Sequence, residues 1–489
     1  TWMLKKPSKL VYSREETFMS SNSRHEMKMH VKIGATKDGD ILAIDLHTLS
    51  NTGAYGEHGS TTVGLSGHKS LPIYNHVKAS RSISDVVYTN TMQAGAYRGY
   101  GATQGQFAVE SIVNELADEL HMDPCELRFK NMVQENEVMS QYYKEFLNSC
   151  ALDRCLQKAM DMIGWKDKSL RRDMGDKVRG LGVALSMQGS GIANVDIAST
   201  VIKLQDDGYY TLSIGATDMG TGCDTILAQM AAECLDCSVD QVVTQAVDTD
   251  ASPYDTGSYA SATTYVTGMA VVKTCEILRK QIIEEASVLM GVDKDHITFD
   301  GKMIYAVEDN QKMSLKDFAN KCFAGGKGEC LIASASHCSP TSPPPFMAGI
   351  AEVDVDKLTG EIDLVDYVAV VDCGTVVNPN LARIQTEGGI AQGIGMALYE
   401  DISYTPAGKM RNNSFMQYKI PTRLDVGQIR VDFESSYEDN GPFGAKSIGE
   451  VVINTPSPAI ASAVAHATGV QIRTLPITAE KVLLGKDED

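Results

Sequence analysis

The stretch AGAYRGYGATQGQ, residues 94–106, packs four glycines around Arg98, which itself has Tyr97 and Tyr100 close by. Glycine has no Cβ, so main chain can approach a neighbour or a ligand where a side chain would not fit. Such a stretch is typical of a tight structural crossing or of a loop that holds a ligand. Apolar residues at helical spacing follow it, and they predict a helix from about residue 106 to residue 121.

Elsewhere, hairpins alternate with single helices. Alternating apolar stretches that turn at Asp-Gly or Thr-Gly predict four β-hairpins, at 29–49, 199–216, 296–307 and 348–372. Helices are predicted after an Asp123 cap with Glu126 completing a capping box, and at 153–163, 224–235, 269–290, 382–399 and 457–468. This order indicates an α+β fold with mixed sheets and packed helices, rather than a doubly wound parallel sheet.

The composition is that of a globular protein with an acidic surplus. Hydrophobic residues make up 43% of the chain, and 63 acidic against 44 basic residues give a net charge of −19. Phosphate binding needs a basic face, so nucleic acid is not expected as a partner. No apolar run approaches the roughly 20 residues that span a bilayer, so no membrane association is expected. The eleven cysteines lack framework spacing, which fits a reducing cytoplasm, and the pair Cys234 and Cys237 is interpreted as a helix end.

Four further segments have the composition of ligand-holding loops. They are IGATDMGTGCDT (214–225), the hydroxyl-rich 248–268, ARIQTEGGIAQGIG (382–395), and 441–461, in which Glu450 precedes an apolar Val-Val-Ile run. Free N–H groups at a helix N-terminus can bind anions. Because no basic cluster accompanies these loops, we predict a long polar ligand held mainly by backbone N–H and amide groups. A pterin dinucleotide fits this description; NAD is an alternative, although no dinucleotide-binding GxGxxG motif occurs.

Five motifs occur together in an order that identifies a family. They are LVYSREETFMSSNSRHEM (10–27), GAYRGYGATQGQFAVES (95–111), IGATDMGTGCDT (214–225), QTEGGIAQGIGMALYE (385–400) and GAKSIGEVVINTPSPAIASAV (444–464). In them the chain resembles the molybdenum-cofactor subunit of the xanthine dehydrogenase/aldehyde oxidase family of molybdenum hydroxylases. The resemblance implies the two-domain molybdopterin-binding architecture, with residues 1–165 as the remainder of the first domain and 166–489 as the second.

The resemblance also implies roles for individual residues. Glu450 matches the family's base, and the apolar run beside it is expected to raise its pKa. Arg98 matches a segment whose backbone runs beside the metal, and Tyr100 an aromatic that packs against a flat substrate. Arg24 matches an arginine that stabilises negative charge on a ring substrate, whereas His25 is interpreted as structural.

For the cofactor, the resemblance implies contacts from several loops. The expected contact residues are Arg98, Gly99, Gly220, Thr221, Gly222, Ala260, Ser261, Thr263, Thr264 and Gln385, with Arg98 and Ala260 next to the metal. Two positions depart from the family pattern. Thr221 stands where a glutamine is common, and MQGSGIANV (187–195) lacks the second pocket phenylalanine of xanthine-oxidising members.

The implied activity is hydroxylation of an N-heteroaromatic, purine-like or nicotinate-like, with oxygen from water. The implied cofactor is molybdenum with molybdopterin, as the cytosine dinucleotide by analogy with bacterial relatives. No cysteine pattern here can hold an iron–sulfur cluster, so [2Fe–2S] and FAD subunits are expected as partners. A third expected partner is a chain carrying the family's GGGFGG-type loop, which precedes this sequence. The alternatives are aldehyde oxidation, hydroxybenzoyl-CoA reductase-type chemistry, or a non-catalytic scaffold.

Overall fold

The computed structural model describes residues 1–306, 310–324, 328 and 330–485. Within these residues the helices are α1 (Arg14–Ser20), α2 (Gly59–His68), α3 (Ala102–Leu120), α4 (Pro124–Asn131), α5 (Leu152–Ile163), α6 (Cys223–Cys234), α7 (Gly268–Met290), α8 (Leu315–Ala324), α9 (Pro379–Leu398), α10 (Pro456–Thr468) and α11 (Ala479–Leu484). Every predicted helix is confirmed to within a few residues, whereas α1, α2, α8 and α11 were not predicted.

The strands are β1 (Glu26–Ala35), β2 (Ile41–Asn51), β3 (Ala79–Val87), β4 (Val138–Met139), β5 (Glu145–Phe146), β6 (Arg171–Asp173), β7 (Lys177–Met187), β8 (Ile197–Leu204), β9 (Tyr210–Ile214), β10 (Val242–Gln245), β11 (Ile297–Phe299), β12 (Met303–Ala306), β13 (Gln311–Ser314), β14 (Ile332–Cys338), β15 (Phe346–Asp356), β16 (Ile362–Asp372) and β17 (Gln428–Phe433). All four predicted hairpins form, as β1–β2, β8–β9, β11–β12 and β15–β16, although position 307 lies outside the described residues.

Three of the sheets are the principal ones, and each mixes parallel with antiparallel pairs. Their strand orders are β1-β2-β3, β10-β9-β8-β14 and β17-β16-β15-β7-β6. The pairs β2–β3, β9–β10 and β16–β17 are parallel. The α+β prediction is therefore confirmed.

The three central strands of the five-stranded sheet, β7, β15 and β16, are buried on both faces, which explains their long apolar runs. Alternate residues of β7 face opposite ways: Val183 and Leu185 pack with residues of α3 and α5, whereas Ala184 packs with residues of α9 and α10. Close backbone packing supports this layering, because a Cβ at Gly182 would lie 2.2 Å from the carbonyl oxygen of Ala459 in α10. The sheet and its flanking helices form a rigid support for the loops at the helix starts.

Three smaller predictions have clear outcomes. Asp123 caps α4, where its carboxylate accepts hydrogen bonds from the N–H groups of Cys125 and Glu126. Cys234 is the last residue of α6, and Cys237 packs against the neighbouring core, so this CxxC pair does lie at a helix end. All eleven cysteines are free thiols. In the described part of the chain, no helix has the length and apolar character needed to cross a membrane.

Candidate functional site

Arg98 joins three segments that are far apart in sequence. Its Nε donates to the carbonyl oxygen of Gly449 at 2.6 Å, its Nη1 to Gln392 Oε1 at 2.9 Å, and its Nη2 to the carbonyl oxygen of Gln385 at 3.1 Å. Burial lowers the pKa of Arg98, an effect that the nearby Glu450 carboxylate opposes. The loop before α3, the helix α9 and the loop before α10 therefore meet at one guanidinium.

Glu450 lies at this meeting point and accepts two hydrogen bonds. The N–H of Gly99 donates to Oε1 at 3.1 Å, and the Ser261 hydroxyl donates to Oε2 at 3.0 Å. No ion pair within 4.0 Å reaches this carboxylate among the described residues. Burial raises the pKa of Glu450, as the apolar run beside it predicts, while the two donors oppose the rise. A carboxylate with a raised pKa and hydrogen-bond donors in place is suited to accept a proton.

Gly99 has to be glycine at this crossing. Its φ is +82°, and a Cβ there would lie 2.0 Å from Thr103 Oγ1, 2.8 Å from Ile453 Cγ2 and 2.9 Å from Asn454 Oδ1. Its N–H can reach Glu450 only because the backbone passes this closely. Gly99 thus serves a tight crossing and presents its N–H group to Glu450, whereas the interpretation of the stretch as a ligand-holding loop stays a prediction.

The segment that carries Ser261 has an unusual backbone. Ala260 and Ser261 are non-glycine residues with φ of +44° and +60°, and a π-helical turn, Thr263–Thr267, follows directly. Adjacent left-handed residues and π-helical turns are uncommon and concentrate at functional sites. Thr263 bonds to Ser258, and Thr264 lies half-buried in the π-helical turn. This backbone aims the Ser261 hydroxyl at Glu450.

The glycine-rich loop before α6 differs from its expected form. The N–H groups of Gly220, Thr221 and Gly222 all donate to Asp218 Oδ1, at 2.8, 2.9 and 3.1 Å. We expected these N–H groups to be open to an anion, but a side chain of the same loop already satisfies them. The loop still joins the site, because Gln385 Nε2 donates to the carbonyl oxygen of Gly220 at 3.1 Å.

Tyr100 forms an aromatic cluster at the edge of the site. Its hydroxyl is 2.6 Å from His58 Nδ1, and the His58 ring lies edge-on to the Tyr100 ring at 5.5 Å. The His58 ring is also 6.1 Å from that of Tyr259. The pattern of the sequence did not single out His58 or Tyr259. The cluster supplies the aromatic surface expected of Tyr100 but fixes its hydroxyl on a histidine.

The Arg24 side chain is held by contacts with other residues of the chain. Its Nη2 donates to the carbonyl oxygen of Arg98 at 2.6 Å, its Nη1 is 3.5 Å from Gln104 Oε1, and its guanidinium lies 4.4 Å from the centre of the Tyr97 ring. Burial lowers the pKa of Arg24 to about 10. These contacts hold the loop that carries Arg98. A direct contact between Arg24 and a substrate stays a prediction. His25 is buried, in agreement with its structural interpretation.

Two buried polar residues near Glu450 were missed. Gln188 is 2% exposed, and its Oε1 is buried without a hydrogen-bond partner among the described residues. Lys69 is 3% exposed, and its charge stabilises the Glu450 carboxylate. Gln188 lies in the segment 187–195, which lacks the phenylalanine expected from the family pattern. This departure from the pattern therefore indicated a segment that lies near the site. Lys69 belongs to no motif, and no sequence pattern indicated it.

The hydrogen-bond donors in this site suit the expected pterin group. The site offers hydroxyl and amide side chains from four loops, a strained backbone at Ala260 and Ser261, and open space beside Gly220 and Gly388, where a Cβ would meet no atom within 4 Å. Neutral donors of this kind match a polar heterocycle better than they match a free phosphate cluster, which favours basic residues.

Comparison with known proteins agrees with this site. Two protein-family models, both described as molybdopterin cofactor-binding domain, match residues 1–132 and 157–427 of the chain. The probable hypoxanthine oxidase XdhD of Escherichia coli strain K12 is 36% identical over 487 residues, which cover 96% of this chain and 50% of the relative. The xanthine dehydrogenase molybdenum-binding subunit of Escherichia coli O157:H7 is 35% identical, covering 97% and 64%.

A solved structure has the same fold. Quinoline 2-oxidoreductase from Pseudomonas putida 86 superposes with a TM-score of 0.88 at 25% identity, covering 97% of this chain and 64% of that one. The chain thus spans between half and two thirds of the length of these relatives. The two family matches cover residues 1–132 and 157–427 and do not test the predicted domain boundary between residues 165 and 166, which stays a prediction. The chain belongs to the family of molybdopterin cofactor-binding subunits of the xanthine dehydrogenase/aldehyde oxidase type.

Proposed function

We propose that this chain provides the molybdenum site of a hydroxylase that oxidises an N-heteroaromatic, purine-like or nicotinate-like, at an electron-poor carbon. The observation that carries the proposal is Glu450, a carboxylate with a raised pKa that two donors orient where helix α9 meets the loops before α3 and α10 and the segment of Ser261. Relatives named for hypoxanthine and xanthine support the substrate class. An aldehyde oxidoreductase relative, 28% identical over 493 residues, keeps aldehyde oxidation as the second candidate.

The residues that would hold the molybdenum–pterin group are Gln385, Ser261, Thr263, Thr264, the backbone at Arg98, Gly99 and Ala260, and the loop Gly220-Thr221-Gly222. When bound, this group supplies the two-electron acceptor for oxidation of a carbon–hydrogen bond by water. We propose the cytosine dinucleotide form, with [2Fe–2S] and FAD subunits as partners in the cytoplasm.

The chain's own residues have distinct tasks in this proposal. Glu450 accepts, at Oε1 or Oε2, the proton that the water-derived nucleophile loses as it attacks the ring carbon. Gly99 and Ser261 hold the carboxylate in place through their hydrogen bonds. Tyr100 and Tyr259 provide flat apolar surface for a heterocycle. Arg24 either stabilises negative charge on the ring or only holds the loop of Arg98.

The test uses the purified complex. Its molybdenum content is measured, and hypoxanthine, nicotinate and benzaldehyde are offered with an artificial electron acceptor in ¹⁸O-labelled water. We expect stoichiometric molybdenum and ¹⁸O-labelled product from a heterocycle. Absence of molybdenum would favour the scaffold alternative, and turnover of benzaldehyde alone would favour aldehyde oxidation. An Arg24→Met variant should lose more activity with a ring-carbonyl substrate than with an aldehyde if Arg24 contacts the substrate.

A further inference from the structure

One short segment supports both sides of the hydrogen bond between Ser261 and Glu450. Residues 189–191, Gly-Ser-Gly, lie just after β7 and are called the bridging segment here. The N–H of Gly191 donates to the carbonyl oxygen of Ala260 at 2.9 Å, and Ala260 directly precedes Ser261. Gly191 has a φ of +78°, which glycine adopts without strain. The donor side of the Ser261–Glu450 bond is therefore anchored to the bridging segment.

The acceptor side of the same bond rests on the bridging segment through Ser447. This residue is buried and lies three residues before Glu450. Its N–H donates to Ser190 Oγ at 3.0 Å, and its hydroxyl donates to the carbonyl oxygen of Gly189 at 2.7 Å. The loop that carries Glu450 is therefore tied to the bridging segment by two hydrogen bonds.

The Ser342 side chain holds the bridging segment in place. Ser342 is fully buried and belongs to the stretch CSPTSPPPF, residues 338–346, whose four prolines restrict its backbone. The Ser342 hydroxyl donates to the carbonyl oxygen of Gly191 at 2.6 Å and accepts from the N–H of Ser190 at 3.2 Å. One hydroxyl thus satisfies a donor and an acceptor of the bridging segment, between the anchors to Ala260 and to Ser447.

A buried tyrosine fixes Ser342 in turn. The Tyr142 hydroxyl donates to the carbonyl oxygen of Ser342 at 2.8 Å and lies 2.9 Å from Ser342 Oγ. It also accepts from the ammonium of Lys69 at 3.1 Å, and both of these side chains are buried. Buried polar groups are costly when they are left unpaired, so each group in this network depends on the next one. The network therefore favours a single arrangement of the bridging segment.

We propose that Ser342 is a positioning residue for the hydroxylation: through the bridging segment it fixes Ser261 and the loop of Glu450 relative to each other, and so orients the carboxylate. This inference rests on the proposed role of Glu450 as the base. The Ser261 hydroxyl donates to Glu450 Oε2 at 3.0 Å, and a small shift of either side weakens a hydrogen bond of this length. A displacement of about 1 Å at a catalytic group can lower the rate by about 10²-fold.

The test compares Ser342→Ala with wild type in the assembled enzyme, using hypoxanthine as the probe substrate. Turnover per bound molybdenum should fall by about tenfold or more while KM stays within about twofold, because the base moves and the aromatic surface of Tyr100 and Tyr259 remains. The substitution is then repeated in a Glu450→Gln background. There it should lower the residual turnover by less than about twofold, because the group that Ser342 positions is already absent.

A second readout does not depend on activity. Amide hydrogen exchange at Ser190, Gly191 and Ser447 should be faster in Ser342→Ala than in wild type, because the bridging segment loses the hydroxyl that fixes it. The same increase is expected in the enzyme with molybdenum and in protein purified without it. Exchange that is unchanged at all three amides would contradict the inference.

A matched control is Thr274→Val in α7. Thr274 is fully buried, and its hydroxyl donates to the carbonyl oxygen of Ala270 at 2.8 Å and lies 2.6 Å from Thr200 Oγ1. This variant also removes a buried hydroxyl, so the melting temperature should fall. Turnover per molybdenum and exchange in the bridging segment should stay at the wild-type values.

If Ser342→Ala does not assemble, Ser190→Ala removes the acceptor of the Ser447 N–H and should show the same loss of turnover at constant KM. Equal losses in the wild-type and Glu450→Gln backgrounds would overturn the inference. So would unchanged turnover per molybdenum, or a loss that appears in KM rather than in kcat. If Glu450→Gln alone keeps wild-type turnover, the proposed function fails instead.

Discussion

Two carboxylates in this chain, Glu110 in the core and the partly buried Glu450, have opposite surroundings. Glu110 in α3 is fully buried, and its Oε2 accepts from Arg128 Nε and Nη2 at 3.0 and 2.8 Å and from the N–H of Leu185 at 2.7 Å, while Oε1 accepts from the Tyr74 hydroxyl. Glu450 has neutral donors and no contact ion pair among the described residues. Glu110 is therefore buried with its oxygens occupied by hydrogen bonds, whereas Glu450 can still accept a proton.

The difference distinguishes Glu110, a carboxylate that stabilises the fold, from Glu450, a carboxylate suited to accept a proton. The Arg128 guanidinium neutralises Glu110, so the pair ties α3 to α4 and to β7. Glu450 accepts instead from Gly99 and Ser261, and burial raises the pKa of its carboxyl. The oxygens of Glu110 are occupied by guanidinium, amide and hydroxyl donors of the core, so this carboxylate has no access to a substrate. The predictions below test this contrast, beginning with the largest expected effect.

Glu450→Gln should lower turnover by about 10²–10⁴-fold, since it removes a positioned proton acceptor. The unfolding free energy should rise or stay constant at neutral pH. A folded pKa above the unfolded value means that ionised Glu450 costs stability above that pKa, and Gln removes this cost. Turnover, molybdenum content and melting temperature measure the three effects. A variant that loses stability as well would place Glu450 in the same class as Glu110.

Glu110→Gln should instead destabilise the chain by about 3–5 kcal/mol, because it leaves the Arg128 charge buried without its partner. Enzyme that still folds should keep the pH profile of wild type, since the pair lies in the core. Chemical denaturation measures the loss. A small change in stability with a shifted pH profile would contradict the contrast between the two carboxylates.

Gly99→Ala should reduce kcat by about tenfold or more, because a displacement of about 1 Å at a catalytic group has effects of this size. It should also move the acid limb upward, because the displaced N–H no longer stabilises the ionised Glu450 carboxylate. The new Cβ would overlap Thr103 Oγ1 at a φ of +82° and move the N–H that holds Glu450. Gly64→Ala is the matched control, because a Cβ at that exposed position in α2 meets no atom within 4 Å. If Gly99→Ala and Gly64→Ala had the same effect on kcat, the argument that Gly99 must be glycine would be refuted.

Ser261→Ala should have the smallest effect, an upward shift of the acid limb by about one pH unit. The Ser261 hydroxyl stabilises the ionised carboxylate, so its removal raises the pKa of Glu450 further, and activity is then lost at higher pH as the medium is acidified. Rates well above the limb should stay near those of wild type. A pH series of kcat/KM checks both statements, and a downward shift would contradict them.

The parts of the fold that were predictable depend on local patterns. The hairpins turn at Asp-Gly or Thr-Gly, and helices α3, α5, α6, α7, α9 and α10 have apolar residues at helical spacing. The elements missed in the first half of the chain lack such a pattern. Strand β3 is exposed along its whole length, and α2 has glycine or hydroxyl residues at most positions, so periodicity could not indicate either one.

For the site, the sequence by itself indicated candidate ligand-holding loops, because glycine, hydroxyl and amide residues cluster in short motifs, and the family resemblance carried by those motifs singled out Glu450. Only the tertiary structure decided that Arg98 links its own loop to α9 and to the loop before α10, that Asp218 satisfies its own loop, and that Lys69 is buried against Tyr142. Contacts between residues hundreds of positions apart depend on how sheets and helices pack. No local pattern encodes that packing, and so a lone buried lysine has no signature in the sequence.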